Sequence, residues 1–142
     1  MSTQYFILTK DPREPVQDTR THQVVHLNRP LSFILPEVNL DYYYKHGLFE
    51  SHLIEWCKQY CKPDGTFLDI GAHTGTYSLC LAAHCGYVMA FEPQQMTYYA
   101  LCGSVALSNI SNMDCFQLAL GSPDQVGQVP LNVRSHDGGG SS

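Results

Sequence analysis

The sequence is poor in charge, and basic residues are scarcer than acidic ones. Asp, Glu, Lys and Arg make up 15% of its 142 residues, against about 25% in an average soluble domain. Thirteen acidic residues outnumber eight basic ones, which gives a formal net charge of −5. None of the four Lys adjoins another Lys or Arg. Because surfaces for nucleic acids or anionic membranes show basic clusters, this balance argues against both.

Long apolar runs and metal-type cysteine pairs are also missing. No apolar stretch approaches the length of a membrane span, and the first residues lack a basic segment followed by an apolar one. We therefore predict a cytoplasmic chain with no membrane partner. The six cysteines include no Cys-x-x-Cys pair and lie in apolar segments, which favours reduced core thiols over disulfides or a metal site.

The first 40 residues differ from the rest of the chain. Residues 5–8 form a short strand candidate, and two prolines in residues 11–15 indicate a loop. Residues 24–27 and 31–35 are predicted to be two strands joined by a turn at residues 28–30. We expect residues 1–40 to be a β-rich leader or lid, and residues 41–142 to form the main domain.

Beyond residue 47 the pattern is that of an α/β protein. Six side chains recur at helical spacing and predict one buried helix face: Phe49, Leu53, Trp56, Cys57, Tyr60 and Cys61. Short apolar runs at residues 66–70, 87–91 and 115–120 predict buried parallel strands. One helix is predicted at residues 77–85 and ends at Gly86. Another is predicted after Pro93, with one face marked by Met96, Tyr99, Ala100, Gly103 and Leu107. Residues 128–133 are predicted to add a fourth, hairpin-like strand. This order predicts a doubly wound, Rossmann-like sheet.

Two features fall at the carboxyl ends of adjacent predicted strands, where such sheets bind ligands. The first is a turn that begins at Asp69 and contains Gly71 and Gly75, and the second is Glu92 at the end of the next strand. Glycines let the backbone approach a ligand closely. A carboxylate in the position of Glu92 can accept hydrogen bonds from ribose hydroxyls.

The turn favours one nucleoside cofactor over the others. A dinucleotide fingerprint needs a second glycine where His73 stands, and no Gly-Lys-Ser/Thr occurs anywhere in the chain. An acid at Asp69 suits a cofactor with a positive amino group. S-adenosylmethionine has that ammonium group and a ribose for Glu92, so we predict it as the cofactor.

Five segments carry a family resemblance: residues 47–50 (GLFE), 67–79 (FLDIGAHTGTYSL), 88–93 (VMAFEP), 109–112 (NISN) and 118–121 (LALG). In this order they resemble the FkbM-type S-adenosylmethionine-dependent methyltransferases. The resemblance implies a class I methyltransferase fold and O-methylation of a hydroxyl on a sugar or natural product. It also implies an adenine site near the end of the third predicted strand. The candidate cofactor-binding residues are Asp69, Gly71, His73, Thr74, Gly75, Glu92, Gln117 and Ala119.

The family normally continues into a further acidic strand motif that this sequence does not contain. We therefore expect an incomplete sheet that self-association or a partner chain could complete, and we assign no catalytic base. Two other functions stay open, namely a non-catalytic module that binds S-adenosylmethionine or another protein, and a nucleotide-dependent oxidoreductase. The acceptor is expected to be a small molecule rather than a nucleic acid.

The candidate carboxylates also have structural interpretations. Asp69 and Glu92 could cap helix N-termini, where carboxylates accept backbone N–H bonds. Glu50 falls at a family-matching place near the expected cofactor mouth, and packing or function explain it equally well. Tyr42, Tyr43 and Tyr44 could form a wall of the active site or pack in the core.

Overall fold

The computed structural model describes residues 3–11, 16–17, 24–25 and 27–133. Its strands and helices are, in chain order, β1 (Tyr5–Lys10), β2 (Val16–Gln17), β3 (Val24–Val25), β4 (Leu31–Pro36), α1 (Glu37–His46), α2 (Ser51–Lys58), β5 (Thr66–Ile70), α3 (Thr76–Leu81), β6 (Tyr87–Phe91), α4 (Gln95–Leu107) and β7 (Met113–Phe116). Two 3₁₀ turns span Ala82–His84 and Pro123–Gln125. Over the described ranges, no helix is both long enough and apolar enough to cross a membrane.

A parallel sheet of order β5-β6-β7 forms the centre of the domain. Asp69 pairs with Ala90 across β5 and β6, and Ala90 with Cys115 across β6 and β7. The intervening helices α3 and α4 are the crossovers that parallel pairing requires. The predicted α/β fold is therefore confirmed. Within the described part of the chain β5 pairs with β6 alone, so its other edge is open.

Helices cover one face of this sheet. Val88 and Ala90 of β6 are fully buried on that face. The side chains of Leu68 and Ile70 point to the opposite face and are 54% and 62% exposed. Phe91 and Phe116 stack on that same face, with ring centroids 5.1 Å apart. Since parallel sheets normally have both faces covered, this apolar face is unusual for the fold.

The N-terminal leader packs into the core through β4. Phe33 and Leu35 of this strand are fully buried. The backbone N–H of Ser32 donates to the Ser108 hydroxyl at 2.9 Å, and that of Ile34 donates to the Ser104 hydroxyl at 2.8 Å. Strand β4 thus lies against α4, whose hydroxyls satisfy strand donors that would otherwise be unpaired.

The two strands predicted near residues 24–27 and 31–35 are present as β3 and β4, and each pairs with a different partner. β4 pairs antiparallel with β1, whereas β3 pairs with β2. β3 and β4 are therefore not hydrogen-bonded neighbours in one sheet. The expected loop falls mainly on residues 12–15, which lie outside the described residues.

The predicted buried faces of two helices are confirmed only in part. Cys57 and Cys61 pack against the core and Ala100 is buried, but the large apolar side chains of both predicted faces are exposed. In α2 the fully buried side chains are Ser51 and Ile54, while Trp56 is exposed. In α4 the buried side chains include Thr97, Leu101 and Ser104, and Met96, Tyr99 and Leu107 are exposed. Small side chains face the core because the elements approach closely: a Cβ at Gly103 would stand 2.4 Å from Ile34 Cδ1.

Several element ends differ from the prediction. The helix expected through residue 85 ends at Leu81 and continues as a 3₁₀ turn. Gly86 is not a left-handed cap, because its φ is not positive. Its Cβ would lie 2.6 Å from the Pro63 carbonyl oxygen, so glycine is needed there for close packing. The third strand spans Met113–Phe116 rather than 115–120, and residues 128–133 are not in a strand.

Candidate functional site

A cleft of about 480 Å³ opens at the carboxyl end of β5. Its size is within the range of roughly 300–1,000 Å³ typical of small-molecule sites. Helix α1, the α1–α2 connection, the loop after β5 and the first turn of α3 supply its walls. The lining residues are Val38, Asn39, Tyr42, Tyr43, Phe49, Glu50, Asp69, Gly71, Ala72, His73, Thr76 and Tyr77.

The two glycines of the β5–α3 loop have different roles. Gly71 has φ 79°, and a Cβ built on it would meet no atom within 4 Å. Gly75 has φ 87°, but its Cβ would lie 2.5 Å from Leu101 Cδ1 and 2.6 Å from Leu79 Cδ1. Gly71 therefore leaves open space on the side of the cleft, whereas Gly75 permits close packing of α3 on α4. Of the two predicted cofactor glycines, only Gly71 lines the cleft.

Glu92 holds this loop against the end of β6. It is 5% exposed, and its Oε2 accepts the backbone N–H of His73 while its Oε1 accepts that of Gln94, both at 2.9 Å. The backbone N–H groups of Gly71 and Ala72 both donate to the Phe91 carbonyl at 2.9 Å. Glu92 thus has the structural role that the sequence left open, and each oxygen keeps a further lone pair for a ligand.

Asp69 caps the helix that follows the loop. Its Oδ2 accepts the Ser78 backbone N–H at 3.2 Å and the Ser78 hydroxyl at 2.5 Å. Ser78 lies in the first turn of α3, whose N–H groups have no partner within the helix. Burial raises the pKa of Asp69, and the bonds from Ser78 partly offset that rise. Asp69 lines the cleft but has committed one oxygen to the protein.

Glu50 lines the cleft from the connection between α1 and α2. Its backbone is left-handed, with φ 52°, and its Oε2 accepts the Tyr77 hydroxyl at 2.7 Å. Burial, followed by the bond to Glu50, raises the pKa of Tyr77. Within the described ranges Tyr77 is the one hydrogen-bond partner of the Glu50 side chain, and no Lys or Arg forms an ion pair with it.

Aromatic rings form the remaining wall. Tyr42 and Phe49 meet edge to face with centroids 5.5 Å apart. Tyr43 is buried and its hydroxyl bonds to that of Thr76, which fixes α1 on α3. Tyr44 is exposed and does not line the cleft. The three consecutive tyrosines therefore divide into a wall residue, a core residue and a surface residue.

Of the other four predicted cofactor-binding residues, only one lines the cleft. His73 lines the cleft in a left-handed conformation with φ 52°. Thr74 is 1% exposed and does not line it. Gln117 and Ala119 are exposed and follow β7 outside the cleft. The Glu92 N–H donates to the Phe116 carbonyl at 3.0 Å. Gln117, the next residue after Phe116, therefore lies close to Glu92, the residue proposed to bind the ribose.

Sequence reasoning missed Tyr77 and left Glu50 undecided. Nothing in local spacing indicates a bond between residues 27 positions apart. The one available signal for a role of Tyr77 in the site was its position, less than one helical turn after the glycine loop. All six cysteines are free thiols, and the described residues contain no cluster of three or more His, Cys, Asp or Glu suited to a metal ion.

Comparison with known proteins gives similarity at the level of fold. No family model and no curated protein matches the chain. Among solved structures, Pyrococcus horikoshii TYW2 in complex with MeSAdo is 20% identical, with a TM-score of 0.52 over 68% of this chain and 36% of that one. Trm5b from Pyrococcus abyssi is 16% identical, with a TM-score of 0.50 over 73% and 29%. The tRNA (m1A58) methyltransferase TrmI from Aquifex aeolicus is 13% identical, with a TM-score of 0.49 over 91% and 61%.

These similarities define the class of fold. The chain shares a Rossmann-like α/β architecture with these solved structures. It spans less than two thirds of the length of each of the three proteins. The more specific FkbM resemblance is matched by no family model and stays a prediction.

Proposed function

We propose that the chain binds S-adenosylmethionine in the cleft beside Gly71 and acts in methyl transfer. The observation that carries this proposal is the charge of the cleft. Glu50 and Asp69 line it, Glu92 lies behind its loop, and no Lys or Arg is among the described lining residues. A pyrophosphate would be repelled there, whereas an ammonium and a sulfonium would be attracted.

The residues present fit this cofactor. Open space above Gly71 admits a ligand close to the backbone. Glu92 has lone pairs left for ribose hydroxyls, and Gln117 and Ala119 follow the adjacent strand on the side proposed for adenine. Asp69 and Glu50 supply negative charge for the amino-acid end. When bound, S-adenosylmethionine supplies an electrophilic methyl group on its sulfonium.

We further propose that the acceptor is a hydroxyl of a sugar or another small natural product. The aromatic wall of Tyr42 and Phe49 offers stacking and apolar contact, and Asn39 offers a neutral polar group beside it. One of the solved structures with this fold is a tRNA methyltransferase. The cleft described here lacks the Lys and Arg side chains that bind phosphates, which favours a neutral acceptor over RNA.

Calorimetric titration of the purified chain tests the cofactor. S-adenosylmethionine and S-adenosylhomocysteine are expected to bind at one site, and NAD is expected to give no heat. Binding of NAD with no response to the other two ligands would overturn the proposal. Transfer of a labelled methyl group to a panel of sugars, polyphenols and a tRNA pool then tests the acceptor. A chain that binds the cofactor without any transfer would be the non-catalytic module.

A further inference from the structure

Three carboxylates surround the loop after β5, and the protein uses them differently. Glu92 accepts one backbone N–H on each of its two oxygens. Asp69 accepts two donors of Ser78 on Oδ2. Glu50 accepts only the Tyr77 hydroxyl among the described residues. Among the described residues, Glu50 is therefore the one of the three carboxylates that accepts no backbone N–H, and its negative charge is the least neutralised.

We propose that Glu50, oriented by Tyr77, is the principal ligand of the cofactor's ammonium group. This inference rests on the proposed binding of S-adenosylmethionine and assigns to Glu50 a role that was predicted for Asp69. Glu50 is half-buried and has no Lys or Arg partner among the residues that the structure describes, which is unfavourable for a carboxylate unless a cation reaches it. The ammonium supplies that cation, and charge-assisted hydrogen bonds are the strongest of their kind.

The backbone at Glu50 supports a role beyond packing. Its carbonyl accepts the N–H groups of Leu53 at 2.9 Å and Ile54 at 3.2 Å, which fixes it at the start of α2. Its φ of 52° is a conformation that glycine or asparagine adopts at lower cost. Strained residues of this kind concentrate at ligand sites. Glu50 lines the cleft, and the bond from Tyr77 fixes its carboxylate there.

Ligands that differ in charge make the inference testable by binding alone. S-adenosylmethionine and S-adenosylhomocysteine both carry the ammonium, whereas methylthioadenosine carries neither the ammonium nor the sulfonium. Glu50→Gln keeps an acceptor for Tyr77 but removes the charge. It is expected to weaken binding of the first two ligands about ten- to a hundredfold and to leave methylthioadenosine unchanged.

Three variants complete the experiment, all measured by calorimetry on chains checked by circular dichroism. Asp64→Asn removes an equal charge from an exposed turn at the opposite end of β5 and should change no affinity. Tyr77→Phe keeps the charge and should weaken the two ammonium ligands less than Glu50→Gln does. Glu50→Asn suits the left-handed backbone and provides an uncharged replacement if Glu50→Gln fails to fold.

The outcomes separate this inference from the proposed function. Equal loss for both ammonium ligands, with methylthioadenosine unaffected, supports Glu50. Wild-type affinity of Glu50→Gln for S-adenosylmethionine overturns the role of Glu50 while leaving the cofactor assignment intact. A loss confined to S-adenosylmethionine would move Glu50 to the sulfonium and also contradict the inference. A wild-type chain that binds none of the three ligands would refute the proposed function itself.

Discussion

The Oε2 atom of Glu92 accepts the backbone N–H of His73 at 2.9 Å, which joins the end of β6 to the loop after β5. This bond makes the ribose candidate part of the framework that shapes the cleft. The bond from Gln94 N–H to Oε1 extends the same framework into the start of α4. Loss of the carboxylate should consequently affect folding as well as binding.

Glu92→Ala is expected to lower the free energy of unfolding by about 1–3 kcal/mol, because it leaves buried backbone donors unsatisfied. Urea denaturation measures this loss, and cofactor affinity should fall in parallel. Glu92→Gln retains an acceptor oxygen and should be intermediate in both. A fully stable Glu92→Ala chain would show that the two N–H groups find other acceptors.

Gly71 and Gly75 should respond differently to alanine. Gly75→Ala is expected to unfold or severely destabilise the chain, since its Cβ would overlap Leu101 and Leu79. Gly71→Ala should cost about 1–2 kcal/mol of backbone strain, because its Cβ meets open space. Denaturation curves of the two variants test this difference. Equal losses would contradict the separate roles given to the glycines.

Buried thiols should make the fold sensitive to alkali. Burial raises the pKa of Cys80 from its ordinary value of 9.0 to about 12, an effect to which Glu55 adds and which Lys58 opposes. Between these values the unfolded chain loses the thiol proton and the folded chain keeps it. The free energy of unfolding should therefore fall as pH rises above about 9, by up to about 1.4 kcal/mol per pH unit from this group.

Cys80→Ala tests that contribution. Thermal or urea unfolding of the variant and the parent at pH 7 and pH 10.5 gives the pH dependence of each. The variant is expected to start less stable, because a small cavity replaces the sulfur, but to decline less steeply. Parallel declines would show that Cys80 is not responsible.

The open face of the sheet should promote association. Leu68 and Ile70 are exposed beside the unpaired edge of β5, and such edges are prone to pairing. The double substitution Leu68→Lys and Ile70→Lys is expected to reduce concentration-dependent association in light scattering. Because both side chains are exposed, the melting temperature should change little. A parent chain that stays monomeric at all concentrations would contradict this expectation.

The sequence predicted the parallel core and the carboxyl-end loop because both depend on local signals. Apolar runs bounded by glycines and a strand-ending acid are visible within short windows. The buried faces of α2 and α4 could not be predicted in the same way. Phe49 and Trp56 mark an apolar stripe, but spacing does not reveal that the core lies on the side of Ile54.

Long-range contacts were beyond prediction for a related reason. Pairing of β1 with β4 and the bond between Tyr77 and Glu50 join segments far apart in the chain. These contacts form only when α1 and β4 pack on the domain. The sequence of a single segment does not indicate how they pack. The structural roles of Asp69 and Glu92 likewise depend on backbone partners that the sequence does not reveal.

A crystal structure with S-adenosylhomocysteine would show whether the cleft beside Gly71 holds S-adenosylmethionine. We expect ligand density over Gly71, with the ribose at Glu92 and the ammonium at Glu50. Density at another place on the chain, or an empty cleft at saturating ligand concentration, would contradict it.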